Sequence, residues 1–186
     1  MLTSLLVSGF GGQGVMMIGK LIGECAFEQG LSVTFLPSYG PEQRGGTANC
    51  TVIQSDEAIG SPVSEELDVM CAMNQPSLVK FIDHIRPGGV LMSNKSLVDI
   101  SCVERKDIKI IEVDADNLAY EIGSKKIANV IIFAAYMTLA KTMPIEEAKK
   151  IAMAKLSKKQ EFIAMNSAAF DKGVEIANSA LGEHGL

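Results

Sequence analysis

Glycines near the amino terminus have the spacing of a phosphate-binding turn, G-x-G-x-x-G, formed by Gly9, Gly11 and Gly14. Glycine suits such a turn because it adopts positive φ and lets a ligand or another backbone approach where a Cβ would collide. A helix that follows the turn would present free N–H groups and a partial positive charge to an anion. The turn therefore predicts contact with a phosphate or nucleotide, and close packing of a strand on a helix is the alternative.

A second unusual segment runs from Pro37 to Gly46 and contains two prolines, three glycines, a tyrosine and an arginine. A dinucleotide-binding fold of the usual kind has an acidic residue at the end of its second strand, and none stands there, which argues against NAD. Arg44 could bind a phosphate or carboxylate through two hydrogen bonds. The alternatives are pairing with Glu42 or with a neighbouring subunit. We expect this loop to contact a ligand or a partner.

The elements that position both segments alternate between strands and helices. Apolar runs predict buried strands at 2–8, 31–36, 67–73, 90–93 and 108–113, and the alternating run at 47–55 predicts a strand that could be antiparallel. Apolar periodicity and helix-start signals predict helices at 15–29, 77–85, 115–122, 127–140, 145–156 and 160–181. Gly19 and Gly23 share a stripe of the first helix, where each costs about 1 kcal/mol against Ala, so we expect close packing there. One α/β domain is the simplest interpretation.

The sequence also predicts roles for residues outside these two segments. Asn74 and Gln75 follow a buried strand, where ligand contacts are common, although capping of the next helix is the simpler role. Asp114 or Asp116 should cap a helix rather than bind a metal. The segment 127–140 is apolar almost all round, which predicts a core or interface helix. The apolar stripe of the last helix should pack on the sheet, and it comprises Ile163, Phe170, Val174, Ala177 and Leu181.

Composition and charge argue against several classes of function. The 186 residues are 47% hydrophobic and carry a net charge of −5 without a basic cluster, so we expect no nucleic-acid partner. No apolar run reaches the ~18 residues of a membrane helix, and we expect no secretory signal. The four cysteines contain no C-x-x-C pair, so we expect no metal site but buried free thiols in a reducing cytoplasm. They are Cys25, Cys50, Cys71 and Cys102.

The combination of G-F-G-G-Q-G-V at 9–15 with P-S-Y-G-P-E-Q-R-G-G-T at 37–47 resembles the gamma subunit of 2-oxoacid:ferredoxin oxidoreductases. A-M-N-Q-P at 72–76 and P-G-G-V-L at 87–91 are also similar to that family. The resemblance implies a Rossmann-like three-layer α/β fold, with a mostly parallel sheet, helices on both faces and a helical C-terminal part.

The resemblance also implies a function. Enzymes of this family decarboxylate a 2-oxoacid oxidatively, form an acyl-CoA and reduce ferredoxin. The second motif is most similar to the 2-oxoglutarate and branched-chain types, and we favour 2-oxoglutarate. Thiamine diphosphate and iron–sulfur clusters would lie in partner subunits of the alpha, beta and delta kinds. This chain, inactive alone, would help to bind coenzyme A and could self-associate when isolated. The alternatives are the small subunit of an indolepyruvate:ferredoxin oxidoreductase and a free-standing nucleotide-binding module.

Carried over residue by residue, the resemblance implies a glycine turn, a loop facing the partner subunits and two flanking amides. The turn comprises Gly9, Gly11, Gly12, Gln13 and Gly14. The loop comprises Ser38, Tyr39, Gly40, Pro41, Glu42, Gln43, Arg44, Gly45 and Gly46, and the flanking residues are Asn74 and Gln75. No catalytic residue is expected in this chain. Arg44→Ala in the assembled complex should raise the KM for coenzyme A or impair assembly.

Overall fold

The computed structural model describes residues 2–40, 45–156 and 159–184, with side chains up to residue 181. A mixed sheet forms its centre. The strands are β1 (Leu2–Phe10), β2 (Ser32–Tyr39), β3 (Thr47–Ser55), β4 (Leu67–Ala72), β5 (Ile85–Asn94) and β6 (Lys109–Val113). Their order is β2-β3-β1-β4-β5-β6, and β3 alone runs against its two neighbours. The predicted mostly parallel sheet and the antiparallel strand at 47–55 are both confirmed.

Helices cover both faces of this sheet. Within the described ranges they are α1 (Val15–Glu28), α2 (Gln75–Phe81), α3 (Ala115–Ile122), α4 (Ala128–Ala140), α5 (Ile145–Lys155) and α6 (Gln160–His184). Leu5 and Val7 of β1 pack with α1 and α4, whereas Leu6 packs with Leu78 of α2 on the opposite face. β1 is therefore buried on both faces, which explains its unbroken apolar run. The three-layer α/β architecture is confirmed.

The apolar segment at 127–140 is a core helix rather than an interface. α4 contacts α1, α3, α5 and α6, and every residue from 130 to 137 is buried. Phe170 of α6 packs on Phe133 of α4 with ring centroids 6.0 Å apart, while Ile163 is 51% exposed. The expectation that the apolar stripe of the last helix packs on the sheet is therefore wrong for Ile163. No helix in the described ranges is long and apolar enough to cross a bilayer.

The second strand continues further than the sequence predicts. Ser38 and Tyr39 belong to β2, so assigning them to a loop is wrong. The predicted strand covers 31–36 and stops before Pro37, a residue that lacks the N–H group of a strand ladder. However, β2 is an edge strand. Gly40 N donates to Thr47 O, and hydrogen-bonded pairs alternate along an antiparallel ladder. Pro37, three residues before Gly40, therefore belongs to a pair without hydrogen bonds, and its backbone faces away from β3. The missing N–H group of Pro37 therefore does not remove a hydrogen bond between β2 and β3.

Strand alternation also separates the two residues that the loop motif grouped together. Phe35 packs on the α1 side of the sheet, so Tyr39 lies on that side and Ser38 on the other. Only Tyr39 of this pair can therefore face a ligand that lies near the start of α1.

The helix α3 is capped from a distant loop instead of by its own acidic residues. Ser96 Oγ accepts hydrogen bonds from Asp116 N at 3.1 Å and from Asn117 N at 3.3 Å. Asp114 occupies the N-cap position, but its side chain makes no capping bond and instead accepts from Ser96 Oγ at 2.5 Å. The prediction that Asp114 or Asp116 caps the helix is wrong, because the N–H groups of the first turn donate to the Ser96 hydroxyl instead.

The cysteines divide into three buried thiols and one exposed thiol. Burial raises the pKa of Cys25, Cys50 and Cys71 to about 12. Cys102 is exposed beside Gln75, so the expectation of four buried thiols is wrong for Cys102. The thiolate is the reactive form, and at pH 8 a thiol of such a high pKa is ionised in only about one molecule in ten thousand.

We therefore expect a disulfide reagent such as Ellman's to modify one of the four thiols rapidly in the folded protein at pH 8. The other three should react only when the protein unfolds. Cys102→Ser should abolish the fast reaction and leave the slow ones. Two or more fast thiols in the wild type would show that the helical layer over β1 and β3 opens readily.

Candidate functional site

The glycine turn joins β1 to α1 at the carboxyl end of the sheet. Gly12 and Gly14 have φ angles of 102° and 79°, a backbone region that favours glycine. Gly14 is the N-cap of α1, no side chain caps this helix, and its first turn contains no acidic residue. The start of α1 therefore presents a partial positive charge that no neighbouring carboxylate of that turn neutralises.

Gln13 attaches this turn to the neighbouring strand. Its Oε1 accepts from Phe10 N at 2.6 Å and from Asn74 Nδ2 at 3.4 Å, and its Nε2 donates to Met73 O at 2.9 Å. A Cβ at Gly9 would lie 2.6 Å from Gln13 Oε1, so Gly9 leaves the space for this side chain. Because the polar atoms of Gln13 bond within the protein, Gln13 positions the turn rather than binding a ligand.

The second loop pairs with the turn through its backbone. Gly11 N donates to Gly46 O at 2.9 Å, and Gly45 N donates to Gly11 O at 3.5 Å. Gly40 N donates to Thr47 O at 3.1 Å and so closes the β2–β3 ladder. The two motifs are therefore adjacent in space. The remaining loop residues lie outside the described ranges: Pro41, Glu42, Gln43 and Arg44.

A cleft of about 530 Å³ lies between the glycine turn, the start of α1 and the ends of β2 and β3. Tyr39 forms one wall and is 70% exposed. Lys20 of α1 also lines the cleft and has no ion-pair partner among residues 2–40, 45–156 and 159–184. The cleft thus offers a helix amino terminus, a cation and an exposed aromatic ring, which are the groups that hold a phosphate and an adjoining base.

Sequence reasoning missed Lys20 as a site residue, although a local signal exists. The residue follows the glycine turn by about a turn and a half of helix, so it lies near any anion bound at the helix start. A cation at this distance from a glycine turn is a pattern that can be read without a structure.

The two flanking amides have different surroundings. Asn74 Oδ1 accepts from Ser77 N at 2.9 Å and caps α2, while its Nδ2 contacts Gln13 under the turn. Gln75 instead holds the loop after β5, with Asp99 N donating to its Oε1 at 2.7 Å. The structure therefore places Asn74 beside the glycine turn and directs Gln75 away from the cleft.

A further amide, not predicted from the sequence, supports the turn from the helical layer. A Cβ at Gly14 would lie 2.5 Å from Asn129 Nδ2, so the two residues are tightly packed. Asn129 Oδ1 is buried, and nothing in the described part of the chain donates a hydrogen bond to it. No local pattern could have revealed this contact, because Asn129 lies on α4, far along the chain.

Side chains that could ligate a metal do not converge. Among the described residues, no three His, Cys, Asp or Glu side chains come together in the geometry of a metal site. The cysteines are also spread over α1, β3, β4 and the loop after β5. An iron–sulfur cluster needs several cysteine thiolates around one point, so these four residues do not fit one.

Comparison with known proteins identifies relatives over nearly the whole chain. The ketoisovalerate oxidoreductase subunit VorA of Methanothermobacter marburgensis is 35% identical over 94% of this chain, which spans only 36% of VorA. The 2-oxoglutarate synthase subunit KorC of Methanocaldococcus jannaschii is 31% identical over 92% of this chain and 91% of its own length. The indolepyruvate oxidoreductase subunit IorB of Pyrococcus horikoshii is 25% identical over 96% of this chain and 97% of IorB.

Solved structures show the same architecture. A keto/oxoacid ferredoxin oxidoreductase gamma subunit from Geobacter sulfurreducens superposes with a TM-score of 0.80 at 27% identity, over 95% of this chain and 99% of that one. The 2-oxoglutarate:ferredoxin oxidoreductase of Magnetococcus marinus, with 2-oxoglutarate, coenzyme A and succinyl-CoA bound, gives 0.82 at 25% identity over 96% of this chain and 31% of its own. The family model described as pyruvate ferredoxin/flavodoxin oxidoreductase matches residues 4–176. The chain therefore belongs to the pyruvate ferredoxin/flavodoxin oxidoreductase family.

Proposed function

We propose that this chain is the gamma subunit of a 2-oxoacid:ferredoxin oxidoreductase and that its cleft helps to bind coenzyme A. The complex would convert a 2-oxoacid and coenzyme A to an acyl-CoA and CO2, and the electrons released would reduce ferredoxin. Thiamine diphosphate and iron–sulfur clusters would be held by alpha, beta and delta partner subunits in the cytoplasm, so the chain alone would be inactive. The observation that carries the proposal is that the uncapped start of α1 and the Lys20 side chain of the same helix line one cleft.

The cleft residues suit the nucleotide end of coenzyme A. Its phosphates would accept hydrogen bonds from the N–H groups at the start of α1 and would form an ion pair with Lys20. Tyr39 would lie against the adenine ring, since an exposed aromatic face binds bases of any kind. We propose that Arg44 supplies a second cation to the same phosphates. Gln13 and Asn74 would hold the turn in the shape that these contacts need.

We propose 2-oxoglutarate as the 2-oxoacid. The KorC relative supports this choice because it and this chain match over nearly the full length of both. Ketoisovalerate is the second candidate, since the VorA relative is 35% identical. We do not favour indolepyruvate, because the IorB relative is the least similar of the three. The ratio kcat/KM of the purified complex for each 2-oxoacid would decide among them, and pyruvate should be included in the comparison.

Lys20→Ala in the assembled complex should raise the KM for coenzyme A about tenfold and leave the KM for the 2-oxoacid unchanged. The reason is that a hydrogen bond to a charged group contributes roughly 1.5–3 kcal/mol, and each 1.4 kcal/mol is a factor of about ten. Arg44→Ala should also raise the KM for coenzyme A, or it should impair assembly of the complex. The assay is coenzyme-A-dependent reduction of a viologen dye under anaerobic conditions.

The matched control is Lys150→Ala, which removes an exposed lysine on α5, outside the residues that line the cleft. An unchanged KM for coenzyme A in both Lys20→Ala and Arg44→Ala, with normal assembly, would contradict the role of the cleft. A free-standing nucleotide-binding module, the other class of function, would instead bind a nucleotide tightly without any partner subunit.

A further inference from the structure

A second pocket lies at the amino-terminal edge of the parallel strands, the edge opposite to the glycine turn. Its volume is about 630 Å³, within the range of ligand pockets. It lies between the first residues of β1, β4, β5 and β6 and the carboxyl end of α4. No described residue lines both this pocket and the cleft, so a ligand in one does not occupy the other.

The wall that the sheet contributes to this pocket is apolar and only partly covered by helices. Val69 of β4 and Val90 of β5 line it and are only partly buried, although both strands have neighbours on either side. Parallel strands inside a sheet are normally covered on both faces. Ile111 and Leu139 also line this wall. The pocket therefore offers apolar surface that a hydrocarbon could cover.

The charged side chains around the pocket are mainly cationic. Arg86, Lys109 and Lys141 line it together with one carboxylate, that of Asp68. Both oxygens of Asp68 are already bonded, Oδ1 to Arg86 Nε at 2.5 Å and Oδ2 to Ser4 N at 2.7 Å. Lys109 and Lys141 form no ion pair within the described part of the chain. A chain with a net charge of −5 thus places two unpaired cations at one pocket.

Lys141 has a backbone conformation that favours glycine. Its φ is 51°, and no other non-glycine residue that the structure describes has a positive φ. It directly follows α4, a position where glycine is the usual residue. A glycine would relieve the left-handed conformation but would remove the cation from the pocket. Because this cation also offsets the partial negative charge at the end of α4, an anion can approach the pocket from that side.

The arrangement of these groups restricts the ligand. The polar side chains of the inner wall bond to each other, with Gln54 Nε2 donating to Tyr136 Oη at 3.3 Å, so they require no polar atom in the middle of a ligand. An inorganic anion would leave the apolar wall uncovered, and a neutral hydrocarbon would make no use of the positive charge. The pocket therefore fits an organic anion that has one charged head and a hydrocarbon body.

We propose that this pocket binds a carboxylate with an unbranched hydrocarbon body, of the size of a medium-chain fatty acid. The carboxylate would pair with Lys109 and Lys141, and the hydrocarbon would lie on Val69 and Val90. Such pairs are stronger where apolar surface excludes water. The inference does not depend on the function proposed above, because the pocket is separate from the cleft.

Isothermal titration calorimetry with decanoate, on the full chain and on the assembled complex, tests the inference. Decanoate should bind to both. Decanol, which lacks the charge, should bind about tenfold more weakly, and hexanoate, which lacks four methylenes, at least tenfold more weakly. Neither inorganic phosphate nor coenzyme A at saturation should change the Kd of decanoate.

Substitutions that preserve the fold locate the site. Lys141→Gly should raise the Kd of decanoate about fivefold without lowering the melting temperature, because glycine suits the left-handed conformation. Lys109→Ala should raise the Kd by a similar factor. Lys106→Ala is the matched control, since it removes an exposed lysine that precedes β6 and does not line the pocket. Val69→Phe would fill the space above β4 and should abolish binding of both decanoate and decanol.

Five results would overturn the inference. Decanoate does not bind to the full chain, or it binds no more tightly than decanol. Its Kd is unchanged in both Lys109→Ala and Lys141→Gly. Coenzyme A displaces decanoate, which would place it in the cleft. Decanoate binds to the isolated chain but not to the assembled complex, which would assign the pocket to contact with a partner subunit.

Discussion

Gly19→Ala should lower the free energy of unfolding by about 2 kcal/mol, whereas Gly23→Ala on the same stripe of α1 should raise it by up to about 1 kcal/mol. A Cβ at Gly19 would overlap the buried Cys50 Sγ and would lie 3.0 Å from the ring of Phe35. At Gly23 the nearest atom is Val33 Cγ1 at 3.4 Å, an ordinary contact. Both substitutions gain helix propensity, but only Gly19→Ala would push side chains of β2 and β3 away from α1.

Chemical denaturation of the two variants and the wild type, followed by circular dichroism, would measure this difference. For a chain of this size it should also appear as a separation of roughly 5–10 °C between the two melting temperatures. The two variants control for each other, because they make the same substitution on one helix. Equal stabilities would show that α1 does not pack on β2 and β3 as closely as the structure shows.

Gln13→Leu should lower the free energy of unfolding by about 2–4 kcal/mol and raise the KM for coenzyme A in the assembled complex. The substitution leaves Phe10 N and Met73 O without their partner, and each unsatisfied buried group costs roughly 1–3 kcal/mol. It also frees the glycine turn from Met73 at the end of β4, so the turn and the N–H groups at the start of α1 would no longer be held in place at the cleft. Denaturation of the isolated chain and kinetics of the complex would measure the two effects.

Gln29→Leu provides the matched control, since Gln29 is exposed at the far end of α1. Gln13→Glu separates the bonds of the side chain, because it keeps the acceptor for Phe10 N but removes the donor to Met73 O. Its effect should therefore be intermediate. If Gln13→Leu were as stable as Gln29→Leu, the proposed attachment of the turn to β4 would be wrong.

Local patterns are sufficient to predict the elements around the cleft. The apolar run of β1, the glycines and the periodicity of α1 all lie within about thirty residues, and Val15, Ile18 and Ile22 are buried on the predicted face. The carboxyl ends of β1 and β4 meet because parallel strands align their ends at one edge of a sheet, which places Asn74 near the turn. The spacing of apolar residues distinguishes a helix from a strand, and this spacing can be read from a short stretch of sequence.

Contacts between distant residues could not be read in this way. Gln13 bonds to Met73, sixty positions away, and Ser96 caps a helix twenty positions further along the chain. The extent of β2 depends on Pro37 lying on an edge strand, which becomes known only when the strand order is known. Cys102 is exposed for the same kind of reason, since its loop packs on Gln75 rather than into the core. Each of these features is decided by tertiary packing.

Anaerobic affinity purification of the tagged chain from the cells that produce it, followed by an activity assay, tests the central claim most directly. We predict that the chain co-purifies with partner subunits that contain iron and thiamine diphosphate. The purified complex should reduce a viologen dye only when a 2-oxoacid and coenzyme A are both present. A colourless chain that purifies alone and binds a nucleotide tightly by itself would contradict the account and would identify a free-standing nucleotide-binding module.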